Sequence, residues 1–310
     1  MENPRIDLHT HTNYSDGALS PRELLARAHA YQLAAISITD HDTVVAYHEG
    51  QAIEIARSIG VELVPGIEWS TRDEHDRKYH ILGLLIDVSH PDILRTTSML
   101  AQRRLLQAQR TCERLRELGW HVDVTTLLER PGTVTRAHIA LAITAHPKNA
   151  ERLQEVFGRI PNQGELIESL LIRGKPAYVP ADDNLSPQEA ISLTHTAGGL
   201  AILAHPAFNI MHGENIDELC ERLARLGIDG FEAINIQYDP HTSREVRLIE
   251  EFRTQAQARG LVISGGSDFH TSDKTTIGAH VDLGMANVDV IVPYSVLSDL
   301  RERVSSRTSM

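Results

Sequence analysis

The chain has 310 residues, 41% hydrophobic and 23% charged, and its 42 acidic against 30 basic side chains leave a net charge of −12. That composition excludes a disordered or collagen-like polymer, and the acidic balance lacks the broad basic field that attracts duplex nucleic acid. Apolar runs such as Ile81 to Ile86 fall far short of the roughly 20 residues that cross a bilayer, and the opening MENPRID lacks a basic, then apolar, leader, so a cytoplasmic protein with no membrane partner is expected.

The first elements alternate. Arg5 to Leu8, Ala34 to Thr39, Glu62 to Gly66 and Tyr79 to Ile86 are short runs rich in Ile, Leu and Val, the texture of buried parallel strands. Ser20-Pro-Arg-Glu23 is a capping box with proline at the first helical position, and it opens an amphipathic helix ending near Gln32. A second helix is expected from His48 to Ile59, stopped by Gly60. From about Pro91 the texture changes to a long Arg/Gln/Leu helix pattern over Asp92 to Leu118, then to short helical stretches with no strand signal until about Tyr178. Alternation resumes at a second capping box, Ser186-Pro-Gln-Glu189, followed by strands at Gly199 to Ala204, Gly230 to Ile234 and Leu261 to Ser264. Thr242-x-x-Glu245 offers a cap for a helix between the last two.

This order predicts an α/β protein, a distorted (β/α)7-type barrel of parallel strands over residues 1–95 and 178–285. A helical insertion over 96–177 and a C-terminal helix and tail over 286–310 complete it. No Gly-x-Gly-x-x-Gly follows the first strand, which argues against dinucleotide binding. Cys112 and Cys220 stand far apart with no Cys-x-x-Cys, so buried free thiols are expected. Histidine, at 17 residues, exceeds what a hydrophobic core calls for.

Barrel enzymes build their sites where strands end, and the polar residues fall there. The first strand ends in Asp7-Leu-His9-Thr-His11 with Ser15-Asp16-Gly17 beyond it, the second in Thr39-Asp40-His41-Asp42, the third in Gly66-Ile-Glu68, and the fourth begins at His80. Later strands end in Ala204-His205-Pro206 and Gly266-Ser267-Asp268-Phe269-His270. Residues two apart on a strand face the same side, so both imidazoles of a His-x-His pair can reach one ion. With the carboxylates they form the nitrogen and oxygen ligation suited to manganese, iron or zinc. Asp40 and Asp42, flanking His41, are expected to orient it rather than to ligate. His75 competes with His80, but the charged stretch around it reads as a solvated loop. The other histidines, His29, His48, His90, His121, His146, His195, His212, His241 and His280, carry no motif and read as surface or helix residues.

The series DLHTH, SDG, TDHD, GIE, HILG, AHP and SDFH, in this order, resembles the PHP family of polymerase-and-histidinol-phosphatase-type metal-dependent phosphoesterases. It is most similar to the stand-alone 3′,5′-nucleoside bisphosphate phosphatases, whose insertion also carries Arg-x-His and Gly-Lys-Pro, here Arg136-Ala-His138 and Gly174-Lys175-Pro176. The resemblance implies two to three divalent ions, manganese first and iron or zinc as alternatives. His9, His11, Glu68 and Asp268 would hold one ion, Glu68, His80 and His205 a second, and Asp16, His41 and His270 a third, with Glu68 and Asp268 at the catalytic centre. Arg136, Lys175 and His138 would bind substrate from a cap over the barrel mouth. Such ions outweigh the carboxylates that hold them, which reconciles an acidic chain with a phosphate substrate. The expected activity is removal of the 3′-phosphate from small 3′,5′-bisphosphate nucleotides. The alternatives are 5′-to-3′ cleavage of short RNAs and a non-catalytic metal-binding module.

Overall fold

The computed structural model describes residues 4–130, 132–180, 184–239, 242, 244–272 and 281–308. Its main sheet takes β1 (Ile6–Asp7), β2 (Ala35–Ile38), β3 (Glu62–Arg72), β4 (Lys78–Leu84), β5 (Leu200–Leu203), β6 (Gly230–Ile234) and, after a small ribbon of β7 (Gln237–Tyr238) and β8 (Glu245–Val246), β9 (Val262–Gly265). Spatial order follows chain order, and β2, β5 and β6 are buried along their whole length because helices cover one face and the core fills the other. The sheet curls until its edges approach. Leu8 N–H donates to Gly265 O at 3.2 Å, and Thr10 forms a parallel bridge with Phe269.

One strand departs from the parallel barrel that the sequence suggests. β4 runs antiparallel to both β3 and β5, since only residues 73–77 separate Arg72 from Lys78, room for a hairpin and none for a crossover. That reversal puts the beginning of β4, with Lys78 and His80, at the end of the barrel where the other strands finish.

Both expected capping boxes form, with Ser20 and Ser186 accepting from the Glu23 and Glu189 N–H groups. The helix expected from His48 to Ile59 is instead two, Val45–His48 and Ala52–Ile59, broken where Gln51 takes φ 51°. Thr242-x-x-Glu245 caps no helix. Glu245 pairs with Tyr238 in the ribbon, and the helix starts only at Ile249.

Between β4 and β5 the described residues form helices and loops, with one isolated bridge of Leu185 to Thr71. The 27-residue helix Pro91–Glu117 runs through residue 96, burying Ile93 and Leu100 in the barrel's core and Ala108, Cys112 and Leu115 in a separate cluster with Trp120, Ile139, Ile143 and Leu166. The short helices of this second cluster touch the barrel loops, where Thr133 N–H donates to Tyr14 O at 2.8 Å and Arg130 to Asn13 O at 3.2 Å. The helix Tyr294–Thr308 closes the bottom of the barrel, burying Val296, Leu297 and Leu300. Cys112 and Cys220 are buried free thiols. No described helix is long and apolar enough to cross a membrane.

Candidate metal centre and the cavity beside it

The end of β1 is held by Asp7, whose buried carboxylate accepts from the Ser267 N–H (2.9 Å) and hydroxyl (2.6 Å) and from the Gly284 N–H (2.7 Å). Those bonds tie the DLHTH segment to the loop that carries Asp268 and His270. Glycine is needed at Gly266, because a Cβ there would collide with His9. His205 and Asp268 take φ of 29° and 55°, a left-handed conformation that costs non-glycine residues about 1–3 kcal/mol and recurs at functional sites.

Glu68 is fully buried and central. Its Oε2 lies 3.3 Å from His9 Nε2 and 3.1 Å from both His11 Nε2 and His41 Nδ1, while its Oε1 lies 2.9 Å from His80 Nδ1 and 3.2 Å from His205 Nε2. Asp268 Oδ1 stands 3.2 Å from the same His9 and His11 nitrogens. Asp16 gathers the third set, 3.3 Å from His270 Nε2, 3.6 Å from His41 Nε2 and 3.7 Å from His11 Nδ1. The structure thus brings together every residue that the sequence proposes as a ligand. Three overlapping groups can each hold an ion: His9, His11, Glu68 and Asp268; His41, Glu68 and His80, with His205 alongside; and His11, Asp16, His41 and His270.

The donor set fits metal ions. His9 Nε2, His11 Nε2, His41 Nδ1, Glu68 Oε2 and Asp16 Oδ1 are buried without a hydrogen-bond partner, an arrangement that protein folding alone disfavours. Ligand atoms about 2.0–2.2 Å from a common ion stand roughly 3.0–3.5 Å from one another, which matches the spacing found. Although burial opposes it, Glu232, Asp268 and Glu68 hold His9 well above its ordinary pKa, and against the same opposition Asp268 and Glu68 push His11 up to about 10. Burial likewise works against Glu68, yet His41, His9 and His80 keep it ionised. An ion entering this cluster therefore displaces protons.

The acids flanking His41 serve other groups than the one expected. Asp40 accepts from Thr12 N–H and from the hydroxyls of Thr12 and Ser15, and Ser15 in turn meets His11 Nδ1 at 3.3 Å. Asp42 accepts from Ser70 N–H and pairs with Arg104. His75 is exposed beside Glu74, away from the cluster. His241 and His280 lie outside the described residues.

Glu232 is a site residue that motif reading misses. Fully buried on β6, it receives His205 N–H at 2.6 Å and faces His9 Nδ1 at 3.0 and 3.1 Å, fixing which His9 nitrogen is left for an ion. Its signal was present in the sequence as a lone acid inside the apolar run Gly-Phe-Glu-Ala-Ile. Glu232→Gln is expected to weaken metal binding about 10- to 100-fold with the fold retained, measured by chelator competition alongside thermal melting. Unchanged affinity would show that the contact only fills space.

A cavity of about 290 Å³ opens from His41, His80 and Asp16 and runs beneath the insertion, lined by Arg72, Lys78, Arg104 and Arg136 among others. Arg136 begins the helix Arg136–Ala145, and burial together with the Arg72 and Arg104 charges lowers its pKa. Burial, then Arg136 and Arg72, pushes Lys78 down to about 8. Arg104 pairs with Asp42 and Arg72 with Asp76, so Lys78 and Arg136 are the half-buried cations that leave this wall suited to an anion. His138 does not line this cavity. Its Nδ1 accepts from Thr135 N–H at 3.0 Å, capping its own helix, and burial pushes it down to about 4. Lys175 is exposed on a turn and absent from the wall. Besides Arg136 the cavity is lined by Lys78, Arg72 and Arg104, which no motif marked.

Comparison with known proteins now bears on this geometry. Residues 7–160 match the PHP domain. The chain is 32% identical to a 5′-3′ exoribonuclease of Escherichia coli over 85% of its length and 84% of that protein. It is 28% identical to a 3′,5′-nucleoside bisphosphate phosphatase of Chromobacterium violaceum over 86% of its length and 87% of the relative. A candidate metal-dependent phosphoesterase from Bifidobacterium adolescentis superposes with a TM-score of 0.75 at 25% identity, covering 97% of this chain and 98% of that one. Sequence, fold and an acid-imidazole cluster whose donors suit metal ions agree, and the chain belongs to the PHP family of metal-dependent phosphoesterases.

Proposed function

We propose that the protein hydrolyses the 3′-phosphate ester of small nucleotides whose 5′-phosphate is held in the cation-lined cavity, 3′,5′-nucleoside bisphosphates being the simplest such substrates. The supporting observation is the continuity of that cavity with the cluster, since Arg72, Lys78, Arg104 and Arg136 share one space with His41 and His80.

His9, His11, Asp16, His41, Glu68, His80, His205, Asp268 and His270 would hold the ions, manganese first. Such ions supply Lewis acidity for the phosphoryl group and acidify water. Glu68 and Asp268 fix the ligand geometry at the reacting centre, and Glu232 orients His9. Arg136 is a forked donor for the non-reacting phosphate, with Arg72, which also holds Asp76, adding charge beside it, and Lys78 is a point charge beside His80. Residues 96–177 act as the cap that keeps this wall dry. Buried free cysteines suit a reducing, cytoplasmic compartment.

A second reading, 5′-to-3′ cleavage of short RNAs, is favoured by the higher identity to the exoribonuclease, 32% against 28%. A phosphate-release screen with manganese separates the two, using nucleoside 2′-, 3′- and 5′-monophosphates, 3′,5′-bisphosphates and short 5′-phosphorylated RNAs, with mononucleotide products followed for the RNAs. Bisphosphates are expected to be turned over well above every monophosphate. Equal turnover of monophosphates would mean that the cavity reads no second phosphate, and a clear preference for RNA would install the second reading.

A further inference from the structure

His41 turns both ring nitrogens into the cluster, Nδ1 toward Glu68 Oε2 at 3.1 Å and Nε2 toward Asp16 Oδ2 at 3.6 Å, and it belongs to two of the three ligand groups. His9, His11 and His270 each have one ring nitrogen beside a group that can orient the ring, Glu232, the Ser15 hydroxyl and the Asp268 carbonyl. His41 has no nitrogen to spare for such a partner, so its ring is aimed by the backbone that carries it.

That backbone is strained and clamped. Asp42, the next residue, takes φ 54°, a left-handed conformation that persists in a non-glycine residue only where the surroundings impose it. Asp42 N–H donates to Glu68 O, and Ser70 N–H donates to Asp42 Oδ1, each at 2.9 Å. The other carboxylate oxygen pairs with Arg104, which also donates to Ser70 Oγ at 2.9 Å. Ser70 lies opposite His80 in the β3–β4 ladder. One guanidinium from the helix Pro91–Glu117 therefore fastens the turn after His41 to the strand pair that carries Glu68 and His80. Asp42 is buried, and among the described residues Arg104 is its only ion-pair partner. Without the guanidinium a buried carboxylate loses its counter-charge, and the turn shifts to hydrate it.

We propose that Arg104 is a positioning residue of the metal centre: through Asp42 and Ser70 it aims His41, so that the insertion sets how tightly the ions are held without supplying a ligand. The inference rests on the metal-centre reading of the cluster. Charge alone predicts the opposite sign, because taking a cation away from the neighbourhood of the ions should strengthen their binding.

The test measures manganese affinity of the full chain by chelator competition, with kcat and KM on a 3′,5′-bisphosphate followed as manganese is raised. Arg104→Met, which keeps an unbranched apolar stem, should weaken manganese binding about 10- to 100-fold. Arg104→Lys, which keeps the charge but not the fork, should fall between that variant and the native chain. Asp42→Ala should also weaken binding, and the double variant should lose no more than about twofold beyond the worse single one, since both act through one clamp. Native or tighter affinity in Arg104→Met overturns the proposal, and a raised KM at saturating manganese alongside it would make Arg104 a phosphate contact instead. If circular dichroism shows that Arg104→Met does not fold, Arg104→Lys decides, native affinity there overturning the clamp. Failure of the metal-centre reading shows separately, as a native chain that retains no manganese.

Discussion

Glu68→Gln lowers turnover at least about a hundredfold in manganese-replete protein, some 2.7 kcal/mol of transition-state stabilisation. Both carboxylate oxygens are engaged, one with His80 and His205 and the other with His9, His11 and His41, so no other carboxylate of the cluster reaches as many of its imidazoles. An amide keeps the volume, but it removes the charge and turns an N–H donor toward nitrogens arranged to share an ion. The variant should also retain fewer ions per chain than the native protein, by elemental analysis of samples purified without chelator. Near-native turnover at saturating manganese would refute a central role for Glu68.

Arg136→Ala reduces kcat/KM on a 3′,5′-bisphosphate about ten- to a hundredfold, the worth of a charge-assisted contact of about 1.5–3 kcal/mol. An aryl phosphate with a single phosphoryl group locates the contact. If Arg136 holds the non-reacting phosphate, that monoester is nearly indifferent to the change, whereas a role at the phosphoryl group under attack affects both substrates alike. Thermal stability without ligand should not fall, because the guanidinium is buried against the Arg72 and Arg104 charges and its removal relieves that repulsion. Unchanged kcat/KM on both substrates would return Arg136 to an ordinary residue of the insertion.

What the sequence discloses here is what repeats at strand ends. His9 and His11, His41, Glu68, His205 and Asp268 each follow an apolar run, and a barrel leaves such positions nowhere to go but one rim. His80 belongs with them for a different reason. Its strand runs the other way, a fact the five residues from Asp73 to Arg77 already required, since a parallel return needs a crossover of a dozen or more. The cation wall was less legible. Arg104 reaches Asp42 only because a long helix crosses the barrel mouth, and no local pattern records which of its many arginines faces inward. Lys175 is the converse, a motif residue that the turn leaves exposed. Glu232 was visible as a chemical contradiction, a carboxylate amid buried apolar residues, and such contradictions mark sites even when no motif surrounds them.

The helix Pro91–Glu117 spans about 40 Å and lends one flank to each of two cores. Arg104 sits between the two sets of buried residues and grips Asp42 at the place where the helix passes from one core to the other. The insertion that roofs the cavity is therefore no detachable lid. It cannot swing about a joint at either end of this helix without withdrawing apolar side chains from one core or the other. Exchange of the roof between relatives to alter substrate choice must carry the whole helix, its barrel-facing residues included, or lose the mechanical frame that aligns the cations with the metal ligands.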